Sequence, residues 1–146
     1  MQTWTSAPLA VAVPAQRVSR LDLAFERLRR DQGTFTAYVF LNDPDVPADA
    51  ARDHPSFAAA FTIFAANGCW GGEGHCDFER EPVTVFDRRP EHHMRPITVN
   101  VDVTDAVHRL EDPSSLTVTV HAARLGEPDA DTGVITFEAL TVLAYQ

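Results

Sequence analysis

Apolar and polar residues alternate at every second position along much of this chain, the period of strands with one buried face. Thr34 to Leu41 sets Phe35, Ala37, Val39 and Leu41 against Thr34, Thr36, Tyr38 and Phe40. Ile97 to Val103 sets Ile97, Val99, Val101 and Val103 against polar partners. In Leu116 to Ala122 the same rule turns Leu116, Val118 and Val120 inward and Thr117, Thr119 and His121 outward. Gly133 to Tyr145 predicts a long final strand bent near Glu138, and Val83 to Phe86 a short one. Leu9 to Val13, closed by Pro14, reads as an edge strand because proline cannot donate to a ladder. From Ser56 to Phe64 both alternating sets are largely apolar, which predicts a central strand covered on both sides.

Two segments depart from period two. Val18, Leu21, Phe25 and Leu28 fit one helical face, while Leu21, Leu23 and Phe25 fit one face of a strand; periodicity favours a helix between Gln16 and Arg30. Thr104 is placed to cap a short helix over Asp105 to Leu110, ended by Asp112 and Pro113. The polar, proline-bearing stretches 42–55 and 87–96 read as loops. Six to eight strands, one or two short helices and connections too short for crossover helices predict an all-β, antiparallel, jelly-roll-like β-sandwich. It is expected to be one domain over residues 1–146, with 1–16 an irregular N-terminal extension.

The 146 residues, 45% apolar and 23% charged, match a globular protein able to bury a core without cross-links. A net charge of −9 argues against a nucleic-acid groove and against anionic membranes. No window approaches the roughly 18 apolar residues of a membrane span. The first sixteen residues lack the charged start of a secretory signal. If Met1 is the natural start, a cytoplasmic location is expected, where thiols stay reduced.

The candidate chemistry gathers after the 56–64 run. Four glycines fall between Asn67 and Gly74, so the backbone there must turn tightly or approach another surface closely. Both cysteines, Cys69 and Cys76, lie in or beside this stretch, with Trp70 between them and His75 next to the second. Thiolates and imidazoles suit Cu(I), so Cys69, His75 and Cys76, joined by His92 and His93 from the 87–96 loop, form a candidate copper site. The same cysteines serve equally as a small disulfide loop or a buried thiol pair. No glycine-flanked nucleophilic serine, phosphate loop or carboxylate pair with a recognisable context is present, and the chain is not read as catalytic alone.

Three segments in order resemble the C-terminal β-sandwich domain of type 3 copper proteins, the family of tyrosinases, polyphenol oxidases and molluscan hemocyanins. Phe35-Thr-Ala-Tyr-Val-Phe-Leu-Asn-Asp43 looks like a strand and Asn-Asp turn of those domains. Ser56-Phe-Ala-Ala-Ala-Phe-Thr-Ile-Phe64 is similar to their Phe-Ala-Gly-Ser-Phe strand, with Ala59 in place of glycine. Val101-Asp-Val-Thr-Asp-Ala-Val-His-Arg-Leu110, followed by the 116–122 strand, looks like their Asp-Ile-Thr, short helix and Val-x-Val-x-Val ending. By this resemblance Arg20 to Phe25 is a strand and not a helix.

The resemblance implies a non-catalytic accessory domain or subunit that packs over the dicopper site of a helical oxidase domain. Matched by strand order, Phe64 falls near the residue that blocks the pocket in hemocyanins, and Trp70 sits at the tip of the following loop. The six histidines of this chain show no helical i, i+4 pairing, so the dicopper bundle itself is not encoded here. The other reading is a free-standing β-sandwich that binds a ligand or partner through its 67–76 and 87–96 loops.

Overall fold

The computed structural model describes residues 1–12, 18–31, 33–64, 76, 85–86, 94–126 and 133–146. Its strands are β1 (Gln2–Thr5), β2 (Leu9–Ala10), β3 (Arg20–Leu28), β4 (Phe35–Leu41), β5 (Phe57–Ile63), β6 (Ile97–Asp102), β7 (Ser115–Leu116), β8 (Val118–Arg124) and β9 (Ala139–Tyr145). One helix, α1 (Thr104–His108), is present among the described residues. A four-stranded sheet in the order β1-β8-β4-β5 faces a three-stranded sheet in the order β6-β3-β9, with β2 and β7 forming a separate ribbon. Every pairing is antiparallel, giving the expected β-sandwich.

The core follows from the alternation. Phe35, Ala37, Val39 and Leu41 of β4 and Val118, Val120 and Ala122 of β8 point inward from one sheet; Leu21, Leu23, Phe25 and Leu28 of β3 and Val101 of β6 answer from the other. Aromatic rings bridge the layers. Trp4 meets Phe137 at 4.8 Å, Phe137 meets Phe25 at 5.1 Å, and Phe25 meets Phe61 at 5.2 Å. Edge-to-face pairs of this kind add to the burial of the rings themselves.

Segment 20–28 is a strand, as the family resemblance implies and against the helical periodicity. Leu21, Leu23 and Phe25 alternate inward, and a register shift against β6 between Phe25 and Leu28 then returns Leu28 to the core. Arg27 takes a φ of 50° in this irregularity. One inserted residue stretches the last interval from two to three, which mimics helical spacing.

The 56–64 run is a second correction. It forms β5 at the edge of the four-stranded sheet among the described residues, not at a centre. Ala58, Ala59 and Phe61 lie against the core only in part. Three of the residues that make both faces apolar, Ala58, Ala59 and Ala60, are alanines, which cost little to leave half-exposed.

Residues 2–5, expected to be irregular, pair with β8 from Gln2↔Ala122 to Thr5↔Thr119. The Gln2 side-chain oxygen accepts hydrogen bonds from the Val134 and Ile135 amides at 2.8 and 3.0 Å. Val85 and Phe86, expected to end a strand, lie in an exposed turn.

Thr104 opens α1 but is not its side-chain cap. Its hydroxyl donates to Asp102 Oδ1 at 2.6 Å and accepts from the Leu21 amide at 2.9 Å, tying the helix start to β3. These bonds to Asp102, with one from the Thr104 amide at 2.9 Å, hold its carboxyl below the usual range.

Candidate docking site

Phe64 follows β5 directly and is 81% exposed. Its position is set by the ladder that precedes it: Phe35 pairs with Ile63, so the chain leaves the sheet one residue beyond the last inward side chain. At the same end of that sheet the Leu125 amide donates to the Thr34 carbonyl at 2.8 Å, and the Leu125 side chain is also exposed. Phe64 and Leu125 thus flank the start of β4 from its two neighbours, leaving two large apolar side chains in water at one end of the sheet.

Of the other expected site residues, Cys69, Trp70, His75, His92 and His93 lie outside the described residues. Cys76 is exposed and disulfide-bonded. In that form its sulfur is not a thiolate, so a soft-metal site that includes it requires reduction first. Among the described residues no three His, Cys, Asp or Glu side chains converge as a metal would need. No described helix is long and apolar enough to cross a membrane.

A second cluster lies on the outer face of the four-stranded sheet, where the alternation predicts solvent. Thr119 and His121, expected outward and open, do point outward but are fully buried. The 42–56 segment covers them. Phe40 anchors it, with its ring 5.9 Å from His54, 6.0 Å from Phe57 and 5.1 Å from His121. Thr119 Oγ1 donates to the Asp43 carbonyl at 2.9 Å, and Ser56 Oγ donates to Asp43 Oδ2 at 2.9 Å. His54 Nδ1 lies 2.8 Å from Ser56 Oγ. Among the described residues, neither ring nitrogen of His121 has a hydrogen-bond partner. Burial pushes this imidazole below its ordinary value, against the opposite pull of the Asp43 carboxylate.

In the sequence, Val46 and His54 sit between prolines in a polar loop that gives no sign of the cover over Phe40; period-two reasoning has no means of seeing it. A shallow cleft between α1 and the start of β5 is lined by Leu41, Ser56, Phe57, Arg109 and Leu110. The Arg109 guanidinium there donates to the Asp105 and Phe57 carbonyls at 3.2 and 3.1 Å.

No family model and no curated protein matches the chain. Solved structures do. Recombinantly expressed latent aurone synthase, a polyphenol oxidase, matches with a TM-score of 0.56 at 13% identity, over 98% of this chain and 24% of that one. Latent aurone synthase from its natural source matches at 0.55 and 13%, with the same coverage. The recombinant protein co-crystallised with hexatungstotellurate(VI) matches at 0.57 and 13%. This chain therefore spans about a quarter of the proteins it resembles. It shares the fold of that quarter, which is consistent with the C-terminal domain of the oxidase.

Proposed function

We propose that this β-sandwich is a non-catalytic accessory domain or subunit of a tyrosinase-like type 3 copper oxidase, set over the dicopper site of a helical partner. The observation that carries the reading is the match of nearly the whole chain to one quarter of a latent polyphenol oxidase. The exposure of Phe64 adds a means. A bulky apolar side chain delivered to a substrate pocket by a docked domain competes at a high effective concentration, so a weak contact suffices to restrain the enzyme. Trp70, six residues further on, is the second side chain assigned to this role.

Co-expression with a helical dicopper domain of the tyrosinase class tests the reading. Wild-type chain should co-purify with that domain and slow diphenol oxidation. Phe64→Ser or Trp70→Ser should restore the rate while co-purification persists. Failure to associate with such domains would overturn the proposal and favour a free-standing binding module acting through its 67–76 and 87–96 loops.

A share in copper loading through Cys69, His75, Cys76, His92 and His93 belongs to the same proposal. Because Cys76 is disulfide-bonded, the test begins with reduced protein. Titration with Cu(I) against a competing chelator should show one-to-one binding that is lost in the Cys69→Ser, Cys76→Ser double variant. Equal binding by the two proteins would remove copper loading and leave the covering role intact.

A further inference from the structure

We propose that His121 is a proton-operated latch for the 42–56 segment: the neutral imidazole lets that segment cover the outer face of the four-stranded sheet, and protonation releases it. This rests on the fold of this chain and not on the assignment of a partner.

The geometry leaves the imidazole no outlet. His121 sits in β8 between Thr3 of β1 and Tyr38 of β4, its cross-strand partners on the two sides. It is 1% exposed, and Phe40 lies against it. The titratable or charged groups on the elements around it are Tyr38 on β4 and Asp43, Asp45, Asp49, Arg52, Asp53 and His54 on the covering segment; Asp45, Asp49, Arg52 and Asp53 are exposed to water, Asp43 is the carboxylate that acts on the imidazole, and β1 offers the uncharged Thr3 and Thr5. Arg52 is held over the Tyr38 ring at 5.9 Å. Ser56 donates to Asp43 Oδ2, and among the described residues neither His121 nitrogen has a hydrogen-bond partner.

A cation in this position is desolvated and has two N–H groups to satisfy where the neutral ring has one. Water can reach it only if the cover lifts. The segment is attached through a small set of bonds: the Thr119 hydroxyl to the Asp43 carbonyl, the Leu41 amide to the Ser56 carbonyl, the Asn42 amide to the Thr117 carbonyl, the Thr117 amide to Asn42 Oδ1 and the Asn42 side-chain amide to the Ser115 carbonyl. The core between the sheets uses none of these contacts, so release of the cover leaves the sandwich standing.

The sign follows from linkage. The folded-state value of His121 is depressed relative to the ordinary 6.5. The cover is therefore fully held above the ordinary value and weakens as pH falls from there toward the folded-state value.

Amide hydrogen exchange, corrected for intrinsic rates and followed from about pH 7.5 to about pH 5, reads this directly. Protection at Ala50, His54 and Phe57 should fall by about ten-fold for each pH unit below the ordinary histidine value, while protection at Leu23 and Val142 stays level. His121→Phe, which keeps a ring against Phe40, should make the first set level as well, whereas His54→Gln should not. Level protection in the wild-type protein would overturn the proposal, as would an unchanged fall in His121→Phe. Should His121→Phe not fold, the wild-type His121 ring titration followed by NMR decides: a midpoint at or above 6.5 overturns the latch, and one below it supports it.

Discussion

The imidazole of His121 and the ring of Phe40 lie 5.1 Å apart, tilted by 53°, on the side of the four-stranded sheet that faces away from the main core. They make a small second core beneath the 42–56 segment. The sandwich thus has three layers at this position, two sheets and an irregular cover.

Removing the anchor of that third layer should be costly although it lies outside the main core. Phe40→Ala is expected to destabilise the protein by about 3–5 kcal/mol, the range for a buried phenylalanine. Phe40→Leu should cost much less. Urea midpoints at constant slope measure both, and proteolysis within 42–56 should accelerate in the alanine variant first.

At Arg27 a side chain occupies a left-handed backbone conformation, with φ of 50°. Its exposed ion pair with Glu138, 2.7 Å long, contributes at most about 1 kcal/mol. Glycine removes a conformational cost of roughly 1–2 kcal/mol while losing that pair, so Arg27→Gly should be near neutral. Arg27→Val keeps the strain and loses the pair, and its thermal midpoint should fall below that of the glycine variant.

Thr104 joins α1 to both β3 and Asp102 through one hydroxyl. Thr104→Val should cost about 1–3 kcal/mol, because the Leu21 amide is left without its acceptor. The same change should raise the Asp102 carboxyl toward its ordinary value. A carboxyl whose folded value is depressed gives stability that is present above its unfolded value and lost as pH falls through the folded one. The acid limb of a stability profile near pH 3.8 should therefore flatten slightly in this variant, well below the window assigned to His121.

Phe64 makes the opposite prediction. A side chain this exposed contributes little to folding, so Phe64→Ser should change stability by no more than about 0.5 kcal/mol. Matched melting curves for the two proteins would separate loss of docking from loss of fold in any partner assay.

How far the chain could be read in advance depended on whether local period reported burial. β6 and β8 were legible because their inward residues alternate without interruption. β3 was obscured by its bulge, since one extra residue gives Leu28 a helical offset from Phe25, and the family resemblance recovered what periodicity misread. The run that forms β5 reads as a central strand because alanine counts as apolar in a pattern yet tolerates an edge. His121 and Thr119 show a different limit. Their outward direction was read correctly, but a polar loop distant in sequence supplies the burial. Phe64 was singled out by order of strands alone; its exposure came from where the ladder stops.

The pairing of Gln2 with Ala122 and of Arg20 with Tyr145 has a consequence for how the protein is made. Each of the two larger sheets joins an early strand to a late one, β1 to β8 and β3 to β9, and among the described strands only β4 with β5 pairs consecutive ones. A domain so dominated by distant contacts belongs with the slow folders, in the millisecond-to-second class. During synthesis the four-stranded sheet cannot close before β8 is made, nor the three-stranded sheet before β9, so β3 and β4 wait with bare edges and uncovered apolar faces. Crowded expression should lose more of this protein at that stage than the finished fold, once closed, would suggest.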